Sequence, residues 1–274
     1  NLGRGNGYVN KDNNFSNADD GDLNYDKHDV FSHVIKGTHE LSLKFGDGWS
    51  ALGRFAWAKD FKMDDTRRTE LDDQAERDAT ERLDLLDLWV AKSFDIGDMP
   101  AKVKVGNQVI SWGEEIFVTG GINQINALSL PKNHTPGTQL KEVFIPAPMA
   151  SFNVGLTDTL NLEAYYQFKW NSFILGPAGT YWSGADFLGK GGQRGAFIPS
   201  SVLGLNTGDI GDFDPTRGRT LASLSMANEG PGVIPVIKQE PGNQGQFGLN
   251  LRFKPKEGDT EFAGYYIRYH DKLP

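Results

Sequence analysis

Segments of about ten residues alternate apolar and polar along this chain, and the links between them alternate short and long. The segments fall into pairs: 33–45 with 50–61, 84–94 with 101–112, 151–156 with 160–170, and 246–253 with 261–270. A tight turn joins the members of each pair, and a long stretch separates one pair from the next. That spacing is the pattern of a transmembrane β-barrel, with short turns on one side and long loops on the other. It predicts an all-β fold: an antiparallel, outer-membrane-type barrel with eight strands in view, a single domain over 1–274.

Strand parity sharpens the expectation. In 35–45 the odd positions, among them Ile35, Leu41, Leu43 and Phe45, are largely apolar, and the even ones are all polar. Gly46-Asp47-Gly48 supplies the turn. Phe55 and Trp57 then share a face opposite Arg54. Leu86, Leu88 and Val90 oppose Asp87 and Trp89, and Val103 and Val105 oppose Lys102 and Lys104. Leu160, Leu162, Ala164, Tyr166, Phe168 and Trp170 oppose Asn161, Glu163, Tyr165, Gln167 and Lys169. Phe247, Leu249, Leu251 and Phe253 oppose Gln246, Asn250 and Arg252. In the last strand Ala263, Tyr265, Ile267 and Tyr269 are assigned outward, and Tyr266, Arg268 and His270 inward.

A soluble β-sandwich also alternates. Two features favour the barrel. Aromatics mark strand ends (Phe45, Trp49, Phe61, Phe94, Trp170, Phe253, Tyr269), where a membrane interface favours them. The polar faces also carry full charges at mid-strand, which a watery lumen tolerates. No run of 18 apolar residues is present, so the sequence holds no transmembrane helix. The net charge of −8 and the lack of a basic patch argue against a nucleic-acid partner. With no Cys, disulfides and thiolate metal sites are excluded.

Residues 1–31 are rich in Asn, Asp and Gly and read as an extracellular loop. The long links are 62–83, 113–150 and 171–245. In the first, Asp73–Arg77 and Asp78–Arg82 at i,i+4 spacing indicate a short, solvated surface helix, with a partner-binding helix as the alternative. The other two hold apolar runs, IFVTGGINQINALSL (116–130) and EVFIPAPM (142–149). Parts of them are expected to fold back into the barrel as a constriction, a plug or a pocket lining. The order of short and long links puts both visible ends on the outer side, so the chain is expected to be a piece of a larger barrel.

The lumen-facing candidates are Lys36, Glu40, Lys44, Arg54, Asp87, Lys102, Lys104, Gln108, Glu163, Tyr165, Gln167, Lys169, Arg252 and Arg268, with Glu114 and Glu115 at the barrel mouth. Rings of charge set selectivity in pores, and the basic excess here favours anionic or carboxylate-bearing solutes; mixed charges equally serve as a ladder fixing loops inside. Glu114 and Glu115 either steer cations or pair with nearby Arg and Lys. Asp19, Asp20 and Asp22 are weak calcium candidates in an acidic segment that departs from the EF-hand pattern, and a solvated loop is the simpler reading. Calcium there would bridge surface lipopolysaccharide. No G-x-S-x-G is present, and the five His (His28, His33, His39, His134, His270) point to no nucleophile–base pair. Gly120-Gly121 and Gly191-Gly192 lack the Lys-Ser/Thr that a phosphate loop needs. No catalytic residue and no cofactor is expected.

VGNQVISWGEE (105–115), GGINQIN (120–126), TPGTQLKEVFIPAPM (135–149), LEAYYQFKW (162–170), GTYWSGADFLGKGG (179–192) and YYIRYHDKLP (265–274), with NADDGDLNYDK (17–27), occur in this order. Together they resemble a family of large proteobacterial outer-membrane proteins known as domain of unknown function 1302. The resemblance covers nearly the whole chain. It implies an outer-membrane barrel, members about twice this length, a link to hydrophobic compounds, and partners in a periplasmic protein or lipoprotein and an inner-membrane transporter. The expected function is a passive channel for small hydrophobic or amphipathic molecules in the bacterial outer membrane. The alternative is a docking barrel that anchors a periplasmic partner for lipid or export traffic.

Overall fold

The computed structural model describes residues 21, 24–67, 70–113, 121–185, 188–192, 194–196, 233–235, 238–257 and 259–272. The main strands are β1 (Val34–Phe45), β2 (Trp49–Asp60), β3 (Glu81–Ile96), β4 (Met99–Gln108), β7 (Ala147–Thr157), β8 (Leu160–Gln167), β11 (Gln246–Phe253) and β12 (Phe262–Arg268). They form one antiparallel sheet in the order β1-β2-β3-β4-β7-β8-β11-β12. Each expected pair is therefore a hairpin, and the hairpins follow one another in chain order. The sheet is open, with β1 and β12 as its edges. Two short pairs stand apart from it: β5 (Ala127–Leu128) with β6 (Phe144–Ile145), and β9 (Arg194–Ala196) with β10 (Val233–Pro235).

Turn chemistry fixes the first hairpin. Asp47 and Gly48 both have positive φ, at 57° and 76°, a combination that matches the right-handed twist of the flanking strands.

The chain divides into two compact units. One comprises Asn1–Gly37, Trp57–Leu83 and Ile174–Lys238, and the other Thr38–Ala56, Asp84–Phe173 and Gln239–Pro274. In the first, Asp60 closes β2. One carboxylate oxygen accepts from the backbone N–H groups of His33, Lys62 and Met63 at 2.9–3.1 Å, and the other from the Ser32 hydroxyl. Phe31 stacks on Tyr181 with ring centroids 3.8 Å apart, and Tyr25 and Trp182 meet that pair edge-on. The helix α1 (Asp73–Thr80) is capped by the Asp72 carboxylate, which accepts from the Gln74 N–H. Its Ala75 is buried. The helix is shorter than the charge spacing implies. It ends at Thr80, so Arg82 falls in β3 and off the helix that carries Asp78.

In the second unit the two faces of the sheet differ as parity predicts. Leu41, Leu43, Phe45, Phe55, Val90, Val105, Tyr166, Leu249, Leu251 and Phe253 are exposed on one face. The opposite face is polar. Three assignments change. Leu86 is 1% exposed whereas Leu88 is 55% exposed, and Leu85 is exposed too. Parity therefore breaks between Leu85 and Leu88, as at a bulge that turns two successive residues to one side. The Leu86 carbonyl is taken instead by the Asn107 side-chain amide at 2.8 Å.

Next, β8 stops at Gln167. Lys169 and Trp170 thus lie beyond the alternation, and Trp170 is buried, its indole N–H donating to the Asp271 carbonyl at 3.0 Å. The other strand-end aromatics named above are exposed.

Finally, the parity of β12 is inverted. Arg268 pairs with Phe247 and Tyr266 with Leu249, which places both on the apolar face. Tyr265 and Ile267 turn instead to the polar face, opposite Asn250 and Gly248.

Candidate functional site

The polar face of the second unit is built as a series of cross-strand pairs. Arg54 on β2 reaches Glu40 on β1 and Asp87 on β3, both at 2.7 Å. The Lys102 and Lys104 ammonium groups lie over the Trp89 ring, 5.9 and 5.2 Å from its centre. Asn153 donates to Glu163 at 2.9 Å. Gln108 donates to the Met149 carbonyl at 3.0 Å and accepts from the Ser151 hydroxyl at 3.1 Å. These are the partners that the period-two pattern implies, because strands in register bring polar positions opposite one another.

A covering segment crosses this face. Residues 109–113 leave the sheet, and 121–146 return over it through the β5–β6 pair and two helical turns, Leu130–His134 and Leu140–Val143. Side chains fasten it at both edges of the sheet. At the β1 edge Thr38 donates to Glu142 at 3.0 Å, and Lys141 lies 3.8 Å from Glu40. Lys132 pairs with Asp84 at 2.9 Å. At the β12 edge the Tyr265 hydroxyl donates to the Trp112 carbonyl at 3.1 Å, and the Tyr269 hydroxyl donates to Gln124. The Asn126 amide closes the base of the segment, donating to the Ile110 carbonyl at 2.7 Å and accepting from the Ile110 N–H. Of the expected fold-back of 113–150, the structure shows 121–146 lying against the polar face of the open sheet.

The segment carries an apolar cluster onto that face. Ile110, Trp112, Ile125, Ala147, Met149 and Tyr165 pack together, with Ile122 and Ile267 against them. Trp112 lies 5.3 Å from Tyr165 and 6.1 Å from Tyr265, ring centre to ring centre. The close approach needs Gly248: a Cβ there would come within 2.9 Å of the Trp112 ring and 2.5 Å of the Tyr165 ring. Arg252 donates to the Trp112 carbonyl at 2.5 Å and pairs with Glu261 at 3.4 Å.

A second polar cluster lies beyond the ends of β8 and β11. Lys272 is buried, and its ammonium donates to Asn171 and Gln246 at 3.3 Å each and sits 6.0 Å from the Trp170 ring centre. These partners are neutral, and burial lowers the Lys272 pKa to about 8.

Of the candidates from sequence, Glu40, Arg54, Asp87, Lys102, Lys104, Gln108, Glu163, Tyr165 and Arg252 fall on the polar face, as does Lys44 by parity in β1, whereas Lys36 lies in the part of β1 that belongs to the first unit. Gln167 is buried beside Asn171 and donates to the Lys169 carbonyl at 2.6 Å. Arg268 lies on the other face and Lys169 off the strand. Glu114, Glu115, Asp19, Asp20 and Asp22 lie outside the described residues. Of the His, His39 stacks on Phe55 at 4.8 Å and His270 faces the Gln244 carbonyl. Trp112, Lys132, Glu142, Asn250 and Lys272 escaped the sequence reading of the site. Of these, Asn250 had a readable signal, a polar position in an otherwise clean alternation.

Fold and site define a class: an antiparallel meander with one apolar and one charged face, the charged face covered by a link of its own chain. The particular family follows from comparison. Residues 1–274 match the family described as "Protein of unknown function (DUF1302)", and the chain belongs to it. No curated protein and no solved structure matches the chain.

Proposed function

We propose that the chain forms part of an outer-membrane β-barrel that lets small hydrophobic or amphipathic molecules cross passively. The observation that carries this reading is the exposed apolar face. Leu, Phe, Val and Tyr stand in rows across the sheet, while every cross-strand ion pair described above sits on the opposite side. In water so large an apolar patch is an aggregation hazard; in a bilayer it is the expected outer surface. An open sheet cannot end in lipid with unpaired edges. On this reading both the β1 and the β12 edge are paired in the membrane, so that a closed barrel surrounds the charged face. No helix of the described residues is long and apolar enough to cross a membrane, so on this reading strands do the spanning.

Inside, the fastened segment 121–146 narrows the path. Arg54, Lys102 and Lys104 alongside Glu40, Asp87 and Glu163 give an interior of mixed sign. The test is reconstitution of the whole protein in planar bilayers, together with uptake of a hydrophobic carbon source by cells lacking it. Conductance and an uptake defect are expected, and the absence of both overturns the channel.

The covering segment also favours a second reading, a barrel closed by its own link that docks a periplasmic lipoprotein or an inner-membrane transporter. Capture of such a partner by a non-conducting protein distinguishes the two.

A further inference from the structure

The apolar cluster around Trp112 is out of place on a charged face, and buried polar atoms without partners lie next to it. Asn250 is 0% exposed, and neither its amide oxygen nor its amide nitrogen has a hydrogen-bond partner. The Tyr165 hydroxyl and the Arg252 Nε are likewise buried and unpartnered. The register brings these groups together. Tyr165 pairs with Gly248, the position over which the Trp112 ring lies, and Asn250 and Arg252 follow on the same face of β11. Buried polar groups in native proteins are almost always satisfied, and a set of orphans calls for an occupant. Convergent polar groups against an apolar wall are the signature of a small-molecule site.

We propose that this cluster is a binding subsite for the head group of a neutral amphipathic solute, an alcohol in the first instance, whose apolar body lies along Trp112, Ile122 and Ile267. The polar groups define the head. The Asn250 amide offers an NH2 with two donors and a carbonyl acceptor, a tyrosine hydroxyl offers either role, and an alcohol both donates and accepts. The charge is balanced locally, since Arg252 is paired with Glu261 and the Glu163 carboxyl faces Asn250 from the neighbouring strand. With the guanidinium already shared between Glu261 and the Trp112 carbonyl, an anionic head gains only the Arg252 Nε–H and meets the Glu163 carboxyl. Trp112 closes the site, and its main chain is held by Arg252 and Tyr265, so entry requires the indole to swing off Gly248. The subsite rests on the channel reading for its purpose, but its binding is measurable without conduction.

The experiment uses the full protein in lipid nanodiscs, with bromine as a heavy-atom quencher of tryptophan. The probes are 10-bromodecan-1-ol, 1-bromodecane and 10-bromodecanoate. A saturable quenching component with the alcohol is expected, absent from Trp112→Phe and at least about tenfold weaker with the alkane and the acid. Asn250→Leu is expected to weaken alcohol binding about tenfold; Tyr165→Phe, which removes one oxygen and keeps the ring, weakens it in the same direction if Asn250→Leu fails to fold. Equal binding of the three probes, no saturable component, or unchanged binding in Tyr165→Phe overturns the subsite. Bilayer conductance on the same preparation separates the two claims. Conduction without selective alcohol binding overturns the subsite alone, and selective binding with neither conduction nor an uptake defect overturns the channel alone.

Discussion

Arg54 of β2 and Asp87 of β3 form an ion pair at 2.7 Å in which each side chain is 14% exposed. The same guanidinium holds Glu40 at 2.7 Å, so one cation separates two carboxylates on one face of three adjacent strands. Removing it does more than delete a pair, because it leaves the largely buried Asp87 carboxylate facing the more exposed Glu40 carboxylate. Arg54→Ala is expected to destabilise the protein by about 1–3 kcal/mol, below the figure for a fully buried pair because some solvent remains. The contrast is Lys59–Glu81, also at 2.7 Å but with side chains 39% and 70% exposed. Glu81→Ala is expected to cost far less, because solvent screens an exposed pair. Urea unfolding midpoints of the two variants test this, and equal shifts would refute the ranking.

The face that carries Arg54 also carries Trp89, which lies opposite Gly106 in the β3–β4 ladder. Gly106 has φ of 139°, and a Cβ there would come within 2.6 Å of the Trp89 Cα and run into the Leu88 carbonyl. These obstacles are backbone, which cannot swing away. Gly106→Ala is therefore expected to lose at least about 2 kcal/mol. At Gly53 the nearest atom to an added Cβ is a Leu88 methyl at 3.9 Å. Gly53→Ala is expected to be neutral or to gain about 0.5 kcal/mol, since alanine loses less chain entropy on folding. Thermal unfolding of the two alanine variants is the measurement, and a tolerated Gly106→Ala would show that β4 runs differently there.

Lys272 ties stability to pH. Burial lowers its folded-state pKa to about 8 from 10.5, so between those values the unfolded chain holds a proton that the folded chain has released. Stability then rises with pH across that window and is flat, for this group, on either side. The gain is at most about 3 kcal/mol. Lys272→Met is expected to be more stable than the parent at pH 7 and to lose the difference by about pH 10.5. Denaturation of both proteins from about pH 7 to about pH 11 measures it, and parallel curves would mean that the ammonium is solvated.

The four hairpins were legible in the sequence because their signals are local: alternation, and Gly and Asp at the turns. What escaped depends on contacts distant in sequence. Tyr265 and Tyr266 carry the same side chain on opposite faces of β12, so composition gave no parity there, and the facing set by Phe247–Arg268 pairing is invisible from one strand. Leu86 fitted the apolar row, and its burial between exposed Leu85 and Leu88, with its carbonyl taken by the Asn107 amide, reveals the break. The path of 121–146 over the polar face was readable as excess apolar character, but its fastening by Thr38, Asp84 and Tyr269 joins residues up to 145 positions apart. Arg54, Glu40 and Asp87 were legible as polar positions and not as a triad, since alternation gives a face and register gives the partners.

The inverted β12 can be tested directly, since the chain has no native Cys to interfere. Single cysteines at Tyr265 and Tyr266 sample the two faces at neighbouring positions, with Leu251→Cys and Asn153→Cys as references for the apolar and polar faces. In lipid vesicles only the thiolate reacts with a water-soluble maleimide, and hydrocarbon disfavours the charged form. Tyr266→Cys is expected to follow Leu251→Cys, at least about tenfold slower than Asn153→Cys, and Tyr265→Cys to follow Asn153→Cys. If Tyr266→Cys is the fast member with the aqueous reagent, β12 pairs with β11 one residue away from the Phe247–Arg268 register. Arg268 then returns to the polar face, where its charge adds to that of Arg252. If all four positions react alike, neither face meets lipid and the membrane reading fails with them.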